Sequence, residues 1–118
     1  MKTGFFLFLT VFTIAFGGND KLTGRWQTKP SETGNVTGVV FMEDNTFEAY
    51  VNRKPFVSGK FEVTDDIFTF TDNGCNGARG TYKMIFFSNN DSLRFQSISD
   101  SCDRRRAGME RLIIGRVK

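Results

Sequence analysis

The chain has 118 residues, with 16 Lys and Arg against 13 Asp and Glu and a net charge of +3. It contains no His, which excludes Ser-His-Asp and Cys-His nucleophilic catalysis, His-ligated haem and the usual zinc sites. The charge excess is too small to draw nucleic acid or a membrane surface in bulk, and the length fits one domain with a modest core.

Residues 5–16, behind Lys2, are almost wholly apolar, and Ala15-Phe16-Gly17 follows the small-x-small cleavage rule. This pattern predicts a secretory signal peptide over residues 1–17. The apolar run falls short of the roughly 20 residues a membrane helix needs. An uncleaved anchor is the alternative. No Cys lies near the cleavage point, which argues against a lipid-modified bacterial N-terminus. Residues 18–118 then form one exported domain, periplasmic or extracellular, with no membrane span. Its two Cys, Cys75 and Cys102, suggest a disulfide in an oxidising compartment. Two buried thiols are the alternative.

Beyond the leader, period-2 alternation and turn chemistry divide the chain into eight strands. The first spans about 22–29 and carries Gly24-Arg25-Trp26. A polar loop, 30–35, leads to a second strand at about 36–43. Asp44-Asn45 turns into a third at about 46–52, with Phe47, Ala49 and Val51 on one face. Arg53-Lys54-Pro55 reads as the next turn, before a fourth strand at about 56–64 with Val57, Gly59, Phe61 and Val63 alternating. Asp65-Asp66 leads to a fifth at about 67–71, with Phe68 and Phe70. A long Gly- and Asn-rich loop, 72–80, holds Cys75. The sixth strand, about 81–87, places Tyr82, Met84 and Phe86 on one face. Ser88-Asn89-Asn90 turns into a seventh at about 91–98. Ser99 to Arg106 reads as an Arg-rich loop holding Cys102, and the last strand covers about 108–117. No stretch after the leader has a convincing 3.6 period. The spacing fits an all-β meander, barrel or sandwich.

If consecutive strands pair antiparallel, both Cys lie in loops at one end. A bridge between them would contribute about 3.5 kcal/mol by chain entropy. Gly24 and Trp26 begin the first strand and Arg116 ends the last. In a closed barrel these strands are neighbours, so Arg116 can lie across the Trp26 indole and seal the tight-turn end, a contact worth about 0.5–2 kcal/mol. Trp26 as plain core is compatible with this.

Gly24-x-Trp26 resembles the first-strand signature of the lipocalin and calycin barrels. The later stretches, Thr71-Asp72-Asn73-Gly74-Cys75-Asn76-Gly77, Gly80-Thr81-Tyr82, Asp91-Ser92-Leu93-Arg94-Phe95 and Ile98-Ser99-Asp100-Ser101-Cys102-Asp103-Arg104-Arg105, resemble small lipocalin-like domains of secreted bacterial proteins. Together these matches cover most of residues 22–117, and Arg105 stands where that pattern has its Arg. The resemblance implies an eight-stranded antiparallel up-and-down barrel with an apolar ligand cavity. Typical lipocalins are longer and carry a helix after the last strand. An eight-stranded barrel is just wide enough either to be filled by its own side chains or to hold one small ligand.

Candidate ligand contacts follow from this frame. Val51, Val57, Phe70, Tyr82 and Ser97 are inward positions near the loop end, where the Tyr hydroxyl and the Ser either orient a ligand or satisfy neighbouring backbone. Lys29, Arg53, Lys54, Arg79, Arg104, Arg105 and Arg106 give that end a positive rim. The rim either attracts an anionic head group or is a solvated surface. Asp72, Asp100 and Asp103 flank the Cys, where ion pairing with the neighbouring Arg is favoured over a Ca²⁺ site. Glu110 and Tyr82 are the nearest approach to an acid–base pair, and their spacing does not demand one.

The leading expectation is therefore a monomeric, exported, non-enzymatic binding module for a small, mainly apolar ligand, with an anionic end as an option and with no cofactor or metal. The rival is a barrel with a filled interior that binds or inhibits a protein through its Arg-rich loops.

Overall fold

A computed structural model describes residues 21–118, so the expected leader over 1–17 lies outside the described residues. Eight strands form one closed antiparallel barrel in chain order. They are β1 (Gly24–Gln27), β2 (Thr37–Phe41), β3 (Thr46–Val51), β4 (Lys54–Thr64), β5 (Ile67–Asp72), β6 (Gly80–Phe87), β7 (Ser92–Asp100) and β8 (Ile113–Arg116). β8 closes onto β1 through Trp26↔Arg116 and Gln27↔Gly115. The fold is all-β and up-and-down, as the strand spacing predicts.

Alternation builds the core. Phe47 and Ala49 on β3, Phe68 and Phe70 on β5, Tyr82 and Met84 on β6, and Leu93 and Phe95 on β7 are all buried inside the barrel. Their neighbours Glu48, Lys83, Arg94 and Gln96 face solvent. The aromatic rings touch in a connected set. Phe68 lies 5.2 Å from Phe70, 5.3 Å from Phe95 and 5.8 Å from Phe41, centroid to centroid.

Two expectations need correction. The stretch 99–106 is not a loop, and the last strand does not begin at 108. β7 runs on to Asp100, a helix, α1, spans Asp103–Arg111, and β8 starts at Ile113. Only Met109 and Leu112 of this stretch pack against the core, too few to print a helical period on the sequence. No side chain caps the helix at Cys102, so the usual start signature is missing too. The β3–β4 turn is also not Arg53-Lys54-Pro55. It is Asn52-Arg53, both left-handed at φ 52° and 72°, and Lys54 and Pro55 already belong to β4.

The tight-turn end is sealed by Trp26. Its indole Nε1 donates to the Leu22 carbonyl at 2.8 Å. The Arg116 guanidinium lies 4.4 Å from the ring centroid. Arg116 also donates to the carbonyls of Lys21, Thr23 and Asn90 and pairs with Asp91 at 3.5 Å. Gly24 stands at φ 127°, a conformation that favours glycine, and a Cβ there would lie 3.8 Å from an Arg116 nitrogen.

Candidate functional site

The opposite end is open. A cavity of about 580 Å³ runs from the barrel interior to the surface between α1, the β5–β6 loop and the start of β4. Phe41, Phe47, Phe68, Phe70 and Phe95 form its inner walls, with Ala49 and Ile114 between them. Residues of α1, the two Cys and Phe56 form its mouth.

The frame of this mouth is held by two fasteners. Cys75 in the β5–β6 loop is disulfide-bonded to Cys102 at the start of α1, with Cα atoms 6.1 Å apart. The second fastener is a buried ionic network. Arg105 donates to Asp100 from Nε at 2.9 Å and from Nη2 at 2.8 Å, in the paired geometry that a planar guanidinium favours. Nη2 also donates to the Ala78 carbonyl at 3.0 Å. Nη1 makes no hydrogen bond among the described residues and lies 3.5 Å from Asp72, and the guanidinium carbon sits 4.8 Å from the Phe70 centroid.

Asp100 is the hub. The Tyr82 hydroxyl and the Cys102 backbone N–H donate to its carboxylate, and Arg106 donates to its carbonyl at 2.9 Å. Burial alone would push the Asp100 carboxyl up. The hydrogen bonds from Arg105, Tyr82 and Cys102 outweigh burial and hold it down at about 2. Burial, reinforced by the hydrogen bond to Asp100, pushes the Tyr82 hydroxyl far above its ordinary value. Gly80 makes room for the hub, since a Cβ there would lie 2.8 Å from an Asp100 oxygen.

The candidate contacts divide accordingly. Val57, Phe70, Arg104 and Arg105 line the cavity; Val51, Tyr82 and Ser97 do not. Val51 is half-buried at the end of β3, beside a register shift at which β4 carries one extra residue, Phe56. Tyr82 is fully buried and spends its hydroxyl on Asp100. Ser97 sits beside Tyr82 on the ladder, next to a second register shift at Thr81/Tyr82. Arg105 is not a rim charge, because its side chain is only 8% exposed and faces two carboxylates. Arg106 is drawn to Asp103 at 3.1 Å. Arg104 alone of the triple Arg makes no hydrogen bond or ion pair among the described residues.

Sequence reasoning missed Phe56, Gly108, Met109, Arg111 and Leu112, all at the cavity. Four of them were hidden with α1. Arg111, like Arg104, has no partner among the described residues. The two are seven positions apart, two turns along one helix face. No group of three or more His, Cys, Asp or Glu able to hold a metal occurs among the described residues.

The closed eight-stranded barrel is consistent with a calycin-like fold. No protein-family model and no curated protein sequence matches the chain. Among the described residues no helix is long and apolar enough to cross a membrane.

Proposed function

We propose that the chain is an exported, lipocalin-like binding module that takes a small, mainly apolar ligand into the open end of its barrel. The observation that carries this reading is the aromatic-walled cavity of about 580 Å³. Ligand pockets typically span about 300–1,000 Å³ and combine apolar walls with a few polar groups. Affinity would come from burial, at roughly 25 cal/mol per Å² of apolar ligand surface. Arg104 and Arg111 at the mouth, without a partner among the described residues, favour a ligand whose outer end is neutral or anionic over a cationic one. The inner wall carries no net positive charge to offer, because Arg105 is answered by Asp100 and Asp72. The disulfide supports an oxidising compartment. The chain would act as a monomeric carrier or scavenger, without catalysis.

Native mass spectrometry of the protein purified from its own host tests the reading. A co-purifying small molecule, or one-to-one binding of the neutral fluorophore N-phenyl-1-naphthylamine to the stripped protein, is the expected result. No binding of that probe at saturation would return the reading to the rival, a barrel acting through its Arg-rich surface.

A further inference from the structure

We infer that Gly108 is the portal residue of the barrel: ligand passes beside α1 where a side chain is missing, and the width left there sets the size of ligand admitted. This rests on the reading of the cavity as a binding site.

Gly108 lies inside α1, a position where glycine is disfavoured relative to every residue except proline. Neither usual reason for glycine applies. Gly24, Gly34 and Gly77 take positive φ, and Gly108 does not. At Gly59 a Cβ would lie 1.9 Å from the Thr71 carbonyl oxygen, so packing forbids one; at Gly108 an added Cβ meets nothing within 4 Å. Yet Gly108 borders the cavity. The space a side chain would occupy is therefore left open at the cavity wall.

The surroundings fit a fixed opening. The start of α1 is pinned by the Cys75–Cys102 disulfide and by Arg105 and Arg106. Met109 of the helix and Leu112, the residue that ends it, pack against the core. The helix is thus held in place while the gap at Gly108 stays unfilled. Phe56 of β4 borders the same cavity and is 66% exposed, an apolar surface at the mouth for an incoming ligand to meet. The neighbouring Ala107 is exposed and does not line the cavity, so a large side chain there leaves the gap untouched.

The test compares Gly108→Ala, Gly108→Leu and Gly108→Phe with Ala107→Phe. Two neutral probes are used: the broad N-phenyl-1-naphthylamine, followed by stopped-flow fluorescence, and the slender 1-decanol, followed by calorimetry. Circular dichroism checks the fold of each variant. Gly108→Leu, a stronger helix former, secures the comparison in a folded protein. The association rate of the broad probe should fall at least tenfold in Gly108→Leu and Gly108→Phe and less than threefold in Gly108→Ala. The slender probe should lose less, and Ala107→Phe should match the native protein with both. Rates and affinities within twofold of native for both probes in Gly108→Leu and Gly108→Phe would overturn the portal and leave the binding site standing. A native protein that binds neither probe would overturn both.

Discussion

The two ends of this barrel solve opposite problems with the same residue type. At the sealed end Arg116 covers the Trp26 ring and spends its donors on backbone carbonyls and Asp91. Leu22, Trp26 and Leu93 there are at most 1% exposed. At the open end Arg105 lies over Phe70 in a similar pose but turns its donors to Asp100. It braces the wall of a cavity instead of plugging it, and leaves Arg104 and Arg111 at the mouth without a partner among the described residues. What an arginine does over an aromatic ring is decided by what answers its charge.

The comparison can be broken from either side, and the largest effects should come from the plug and the brace. Trp26→Ala should destabilise the fold by about 3–5 kcal/mol, through loss of burial and the cavity left behind. Chemical denaturation measures it. Arg116→Ala should cost less. Because Arg116 also serves carbonyls and Asp91, its coupling to Trp26 in a double-mutant cycle should be about 0.5–2 kcal/mol. Strictly additive costs would show that the ring contact contributes nothing.

Arg105→Met should cost about 3–5 kcal/mol, since it leaves Asp100 buried with Asp72 and no counter-charge. Removing the second fastener, by Cys75→Ala with Cys102→Ala, should cost about 2–5 kcal/mol in the same assay. Thiol titration of the native protein under denaturing, non-reducing conditions should find no free thiol.

Acid separates the two ends further. The Asp100 carboxyl is held at about 2 against 3.8 for the free group. Its pKa is depressed by folding, so its contribution is complete above pH 4 and is lost as pH falls toward 2. The loss should be on the order of 2 kcal/mol. In Arg105→Met this acid-side loss should largely disappear, because the main group holding the carboxylate ionised is gone. Among the described residues the sealed end has no comparably buried carboxylate. The smallest effect is a gain: Gly108→Ala should raise stability by up to about 1 kcal/mol, since it removes a glycine from a helix without a clash.

What the sequence made legible follows the same division. The sealed end could be read because it is built from strands. Period-2 alternation located β1 and the end of β8, though not its start, and closure of a meander places chain ends side by side, so Trp26 and Arg116 had to be neighbours. The bridge was legible because Cys75 and Cys102 fall in loops at the same end. The open end was not legible because its decisive element is α1. That helix has no buried apolar residue and no side-chain cap, and only Met109 and the following Leu112 touch the core. Its stability comes from anchors outside it, namely Asp100 just before it and Cys75 and Ala78, both distant in sequence. Tyr82 and Arg105 were picked out as polar groups near the mouth. Pairing of Asp100 with a neighbouring Arg is expected from their closeness in sequence, but its bond to Tyr82, 18 residues away, turns both inward and no local pattern encodes it. Val51 and Ser97 stay partly buried beside irregularities at which β4 and β7 each carry one extra residue, Phe56 and Ile98, and neither borders the cavity.

The most direct test of an open barrel above a sealed one fills the cavity without touching the seal. Val57 lines the cavity and is half-buried, and a larger side chain there projects into the same space. Calorimetric titration of N-phenyl-1-naphthylamine into the native protein should give one saturable site per chain. Val57→Trp should abolish that site while keeping the native circular dichroism spectrum. Unchanged binding in folded Val57→Trp, or no binding by the native protein at saturation, would contradict the account.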